Sequence, residues 1–267
     1  MSDAGILGHV SASQVKTYRA CKRQWWYEKV ARLPKAMGGG KDTGTALHHE
    51  MRAYLAGEIP ASRLSPLAAP GVPELPLPGT TLAEHALEPP PVAAGLPWTG
   101  SIDWLSPPQA SGEWAGIPWV GDHKTTKNYT YCLDKEELAK DVQMISYAYY
   151  ASIKWSLPES GFVRLTHVYY HTDPGPRTKP IKVVDTKAQV ATIKSLWGEF
   201  ETVVQDMKAT AKAPTAAQVE GNAKACWNYG GCPYRSRCPS NKSAAPAPET
   251  PEVISVHRLL FPRKAAK

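Results

Sequence analysis

The sequence predicts an α/β fold, a small mixed sheet flanked by helices, and three observations carry that expectation. Apolar residues recur at helical spacing in some segments and in strand-length runs in others. The resulting order is helix, helix, strand pair, helix, strand, helix, with no internal repeat. A chain of 267 residues with 42% hydrophobic content is also long enough to bury one large core, which excludes wholesale disorder.

Ser13 is the expected N-cap of a helix carrying Val15, Tyr18, Trp25 and Trp26, with Lys16, Arg19, Lys22 and Arg23 between them. After the glycines at 38–40, Thr43 opens a second helix through Leu47, Met51, Tyr54 and Leu55 that Gly57 stops. Residues 60–97 hold ten prolines, a density that reads as a surface insertion with a short strand around Ala83 to Leu87. Two strands, Trp98 to Leu105 and Ile117 to Thr125, read as a hairpin joined by the turn-rich SPPQASG. A helix from Asp134 to Trp155 packs through Leu138, Val142, Ile145 and Tyr149; an alternating strand, Phe162 to Tyr170, and a long helix, Thr186 to Lys212, complete the order. Residues 1–240 read as one domain, with a cluster segment at 222–240, and 241–267, rich in Ala and Pro, as a disordered tail.

No apolar run has the length of a membrane span, and the N-terminus lacks a secretory signal pattern. Five cysteines, odd in number and unevenly placed, suit a reducing compartment that uses thiols for metal. A cytoplasmic protein without membrane contact is the expectation. Charge is unevenly divided: residues 1–41 and 222–267 each hold eight Lys and Arg against two acids, whereas 42–125 hold three against nine. An acidic centre with basic margins suits metal-assisted chemistry on a polyanion, although a solvated surface gives charge runs too.

The chemistry begins in WVGDHKTT, where Asp122 and Lys124 project from one face of a strand. Asp103, in GSIDWL, lies close enough across a hairpin to share a cation with Asp122. Two carboxylates can hold Mg²⁺ or Mn²⁺, and the lysine can orient water or neutralise phosphate charge. Asp-x-Lys alone is weak, because such pairs are usually exposed surface. Context strengthens it: apolar sequence runs up to Gly121, and polar DHKTT starts where a sheet would end. Imidazole from His48 or His49 can join the carboxylates, and Gln143 and Tyr147 lie one turn apart on a helix. The alternative for that last pair is core for Tyr147 and boundary for Gln143.

In this order, SASQVKTYRACKRQWWYEKV, GTALHHE, GSIDWL, GDHKTT and QMISYAYY resemble the successive motifs of the RecB-like branch of the PD-(D/E)XK nucleases. With the cysteines they span Ser11 to Cys238. The resemblance implies a restriction-endonuclease-like mixed sheet between helices and a divalent-metal-dependent DNA exonuclease acting at ends, on single strands, in recombination, repair or CRISPR-related processing. It implies His48, in G-x-x-x-H from Gly44, as metal histidine, Asp103 and Asp122 as metal carboxylates, and the His123 backbone carbonyl facing the metal. Lys124 matches the catalytic lysine, and Gln143 with Tyr147 the downstream helix motif. The second acid is Asp where many members have Glu. An endonuclease of the same fold and a non-catalytic binding module remain alternatives.

Cys21 stands alone, while Cys226, Cys232 and Cys238 occur as C-x5-C-x5-C. One distant and three clustered thiols resemble the iron–sulfur staple of AddB-type and CRISPR-associated RecB-like exonucleases. That resemblance implies a 4Fe-4S cluster joining the terminal segments; the spacing departs from the usual C-x2-C and leaves zinc open. Such a staple would gather Arg19, Lys22, Arg23, Arg235 and Arg237 along one DNA-binding groove beside the acidic site. Cys132 is left over. In the tail, HRLLF at 257–261 resembles peptides that dock into sliding clamps, with a segment folded back on the domain as the alternative.

Overall fold

The computed structural model describes residues 7–35, 41–175 and 177–240. The tail at 241–267, including the clamp-like segment, lies outside the described residues. In chain order the elements are β1 (Val10–Ser11), α1 (Ala12–Ala20), α2 (Lys22–Lys29), α3 (Lys41–Leu55), β2 (Leu82–Ala86), β3 (Val92–Ala93), β4 (Leu96–Thr99), β5 (Ser101–Ser106), β6 (Trp119–Thr126), α4 (Lys135–Leu138), α5 (Val142–Lys154), β7 (Phe162–His171), β8 (Ile181–Gln189) and α6 (Val190–Ala211), with short 3₁₀ turns between. The chain divides into two compact units, residues 38–91 with 99–198, and residues 1–37 with 92–98 and 199–267.

The first unit is built on a five-stranded sheet in the order β2-β5-β6-β7-β8. Only β6 and β7 run parallel, and a parallel pair requires a crossover, which α4 and α5 supply. The single helix expected from 134 to 155 is two helices, because the stretch carries two caps. Asp134 and Glu137 form a capping box on α4, and the Asp141 carboxylate accepts from the amides of Gln143 and Met144 to start α5.

Helix α5 packs on β6 and β7, and α3 packs on β2, β5 and β6. Leu47, Met51 and Leu55 of α3 form a buried cluster with Trp104, Trp119, Val168 and Tyr170 of the sheet. Burying each such side chain stabilises the fold by roughly 1.5–3 kcal/mol. Gly121 stands opposite Trp104 in the β5–β6 register, and a Cβ there would overlap the indole.

The proline-rich stretch is an ordered segment laid on the sheet. Ala68 is fully buried, and Leu64, Leu67, Val72 and Leu75 pack against the same cluster. Fixed proline φ angles suit the 3₁₀ turns at Ala61–Arg63 and Ala69–Glu74, which seal the sheet without a ladder of their own.

Three further boundaries differ from the sequence reading. The expected strand from Trp98 to Leu105 divides at Gly100, so that β4 joins the three-stranded sheet β1-β4-β3 and β5 the larger one. Residues 186–189, read as helix, end the strand β8, whose alternating IKVVDTKA pairs with β7 along its length. Its cross-strand partners outweigh the helical pattern downstream. Ser11, not Ser13, caps the first helix, and extended backbone at Cys21 breaks the predicted single helix into α1 and α2.

In the second unit Tyr18 donates to Asp206 at 2.8 Å, Lys22 pairs with Asp206 at 2.6 Å, and Trp98 stacks on Phe200. Tyr27, Tyr234 and Cys238 form a small buried cluster with Cys232 at its margin.

Candidate active site

The β5–β6 ladder ends at Trp104 and Gly121, and one position beyond it Asp103 and Asp122 face each other across the two strands. Both carboxylates are buried. The His123 amide donates to Asp103 Oδ2 at 2.6 Å, fixing one oxygen. The other, Oδ1, lies 3.2 Å from His48 Nδ1. Burial first, and then repulsion from Asp122, push the Asp103 carboxyl up to about 6.

Burial alone would push the Asp122 carboxyl up as well, but Lys124, His167 and His48 together hold it below its ordinary value. Lys124 Nζ stands 2.5 Å from Asp122 Oδ2. Gln143 ties this pair to α5: its amide nitrogen donates to Asp122 Oδ1 at 2.7 Å and its oxygen accepts from Lys124 at 3.1 Å. The same nitrogen donates to the Tyr147 hydroxyl at 3.1 Å, which in turn donates to the Ser101 carbonyl at 2.5 Å. Tyr147 is buried, and its hydroxyl orients Gln143.

His48 sits on α3, where the first turns of the helix bring it over the end of β5. Hydrogen bonds with Asp103 and then Glu84 push its imidazole up to about 10. His49 does not join the cluster; with Gly44, Thr45 and Arg52 it lines a cavity of about 640 Å³ onto which His48 and Glu84 also open. The His123 side chain is buried among Trp104, Tyr170 and His48, and burial pushes it down to about 3, so it stays neutral.

Two residues were missed by sequence reasoning. Glu84 lies on β2 opposite Asp103, between the registered pairs Ala83–Trp104 and His85–Ile102. Its φ of 49° is left-handed, an uncommon conformation for a side chain with a Cβ. Glu84 Oε1 is 3.7 Å from His48 Nδ1, and Ser101 donates to Oε2 at 3.1 Å. Among the described residues, His48, Glu84 and Asp103 are the group whose potential ligand atoms all lie within 4.8 Å of one another. An acid in the alternating LAEHA was the available signal, hidden by the prolines around it. His167 pairs with Asp122 across the parallel strands, its Nε2 4.0 Å from Asp122 Oδ2. No local pattern announces that pairing.

The remaining candidates lie in the second unit. All four of Cys21, Cys226, Cys232 and Cys238 are free thiols. Burial pushes the Cys226 and Cys232 thiols up, and the neighbouring cysteines push them further. No three of the four sulfurs lie within 4.8 Å of one another among the described residues. Arg23 is buried, donating to the Val219 carbonyl, Cys238 Sγ and Ser240, so it holds the cysteine segment and does not face a strand. Lys22 is paired with Asp206, and Arg19 lies over Phe200. Arg235 covers the half-exposed Trp227, and Arg237 is exposed.

The model of the PD-(D/E)XK nuclease superfamily matches residues 9–70 and 78–239. The chain belongs to that superfamily, whose members are metal-dependent nucleases. No curated protein matches it. Among solved structures, the crystal structure of SSO0001 is similar with a TM-score of 0.39 and 13% identity over 88% of this chain and 87% of that one, a likeness too loose to argue from. Among the described residues, no helix is long and apolar enough to cross a membrane.

Proposed function

We propose that this protein is a divalent-metal-dependent deoxyribonuclease that degrades DNA from its ends, acting on single strands in DNA repair, recombination or the processing of foreign DNA. The observation that carries this reading is the meeting of Asp103, Asp122, Lys124 and His48 at the open end of β5 and β6. Imidazole nitrogen with carboxylate oxygens suits Mg²⁺ or Mn²⁺, and two buried carboxylates facing each other call for a cation between them. His48, Asp103 and Asp122 with the His123 carbonyl would hold the metal, and Glu84 joins them as a further ligand. A bound metal would supply Lewis acidity and lower the pKa of a bound water.

Lys124, held by Asp122 and Gln143, offers its ammonium to the phosphate oxygens and so neutralises charge that grows in the transition state. Gln143 keeps both partners in register, and Tyr147 keeps Gln143 in place. Intact carboxylates and lysine favour catalysis over a non-catalytic binding module.

The cysteines fit a structural metal centre joining the chain's two ends. Four thiolates on one zinc stand about 3.8 Å apart given Zn–S bonds of about 2.3 Å. The grouping of one distant with three clustered cysteines is what favours a 4Fe-4S cluster over zinc.

The test is hydrolysis of labelled single- and double-stranded DNA with Mn²⁺. Asp122→Ala is expected to lower the rate by at least about 10²-fold, the scale of losing one such electrostatic group. Equal degradation by wild type and variant would sink the assigned site.

A further inference from the structure

On the same face of the sheet as Lys124 lies Lys182. Lys124 pairs with Tyr169, and Tyr169 with Lys182, so the two lysines lie in one row across three strands, about 10 Å apart at the usual strand spacing. Lys182, with Arg177 and Lys179 of the segment just before β8, lines a concave surface of about 670 Å³ that wraps the start of this edge strand, with Tyr129, Ile181 and Val183 on its wall and Glu74 as its one acid.

Among the described residues no ion pair engages Arg177, Lys179 or Lys182. The surface is fastened to the strand that carries Lys124. Past Lys124, the Thr126 carbonyl accepts from the Thr172 amide at 2.9 Å. The Tyr129 hydroxyl donates to the Lys179 carbonyl at 2.8 Å, and its ring meets His171 edge to face. These bonds tie the main chain at Thr172 and Lys179 to the segment that follows Lys124, and Tyr131, in the same turn as Tyr129, exposes its ring.

We propose that Arg177, Lys179 and Lys182 form a landing surface for the phosphate backbone of the DNA strand that runs through the active site. This rests on the nuclease reading above. Guanidinium and ammonium groups that continue from the row of Lys124 and Lys182 match successive phosphates, and an exposed tyrosine offers a base a stacking face. The contacts are to backbone, so they set register and strand path without choosing sequence.

The test is anisotropy of a labelled single-stranded oligonucleotide on the full-length protein in EDTA, across a range of salt. Changing Arg177, Lys179 and Lys182 together to Gln is expected to weaken binding by about tenfold or more at low salt and to reduce the salt slope by about 2, three phosphate contacts at roughly 0.7 each. Arg177→Gln alone should lose a smaller share, and Lys194→Gln, remote and ion-paired, should bind as wild type. Wild-type affinity and slope in the triple variant would overturn the proposal, as would an equal loss in Lys194→Gln. Asp122→Asn separates the two readings: it should bind normally and fail to cleave, and full cleavage by it would remove the nuclease site whatever the surface does.

Discussion

At the scale of single residues, the site is a balance of charges that no isolated side chain would adopt. Asp103 and Asp122 are both buried, and their repulsion shows in the raised Asp103 carboxyl. Lys124 and a proton on His48 offset it in the metal-free protein. Glu84 joins this group from β2. Its left-handed backbone aims a carboxylate at His48 from a third strand, and strain of that kind persists only where surrounding structure enforces it. Glu84→Gln is expected to weaken Mn²⁺ binding by about tenfold or more while leaving the melting temperature near wild type. Calorimetric titration of the metal checks this, and unchanged affinity would remove Glu84 from the metal site.

At the scale of elements, the strand that carries Asp122 and Lys124 is flanked by two neighbours of different kinds. Antiparallel β5 brings Asp103 and then diverges, while parallel β7 continues past Asp122 and Lys124 and supplies His167. Gly121 is where the strand meets its tightest constraint, with the Trp104 indole lying over its α-carbon. Gly121→Ala should therefore cost about 1–3 kcal/mol of stability by overpacking, and also lower activity, because the shift falls one residue from Asp122. Chemical denaturation measures the first effect, and a wild-type midpoint would contradict it. The β6 pattern was legible as a strand turning polar, but its partners were not. The expected hairpin holds for β5 and β6, whereas the β6–β7 pairing and the entry of β2 depend on contacts distant in sequence.

At the scale of the whole chain, each of the two units gathers residues from well-separated segments. The sheet unit draws on 38–91 and 99–198; the cysteine unit draws on both ends and on 92–98. In the cysteine unit the sulfurs act as neighbours although Cys21 is some two hundred residues from the others, and Asn222 links the regions by donating to Cys21 Sγ and the Ala20 carbonyl. A bound cluster adds its binding energy to folding, so its loss should be felt as instability. Protein purified without oxygen is expected to be brown and to contain iron and sulfide. Cys232→Ser should lose the colour and melt several degrees lower. A colourless wild type with one zinc would replace the cluster with a zinc site and leave the nuclease reading intact.

The amino-acid sequence by itself determined the α/β class, the positions of Asp103, Asp122, Lys124, Gln143 and His48, and the grouping of one distant with three clustered cysteines. Those features are local: strand alternation, helix spacing and short motifs are set within a few residues of one another. Only the tertiary structure decided that Glu84 and His167 stand beside these groups, that the proline-rich segment covers the sheet, and that Arg23 is buried while Arg177, Lys179 and Lys182 meet no ion-pair partner among the described residues. These follow from strand register and packing between distant segments, and register is chosen by the whole buried surface and not by any one stretch of chain.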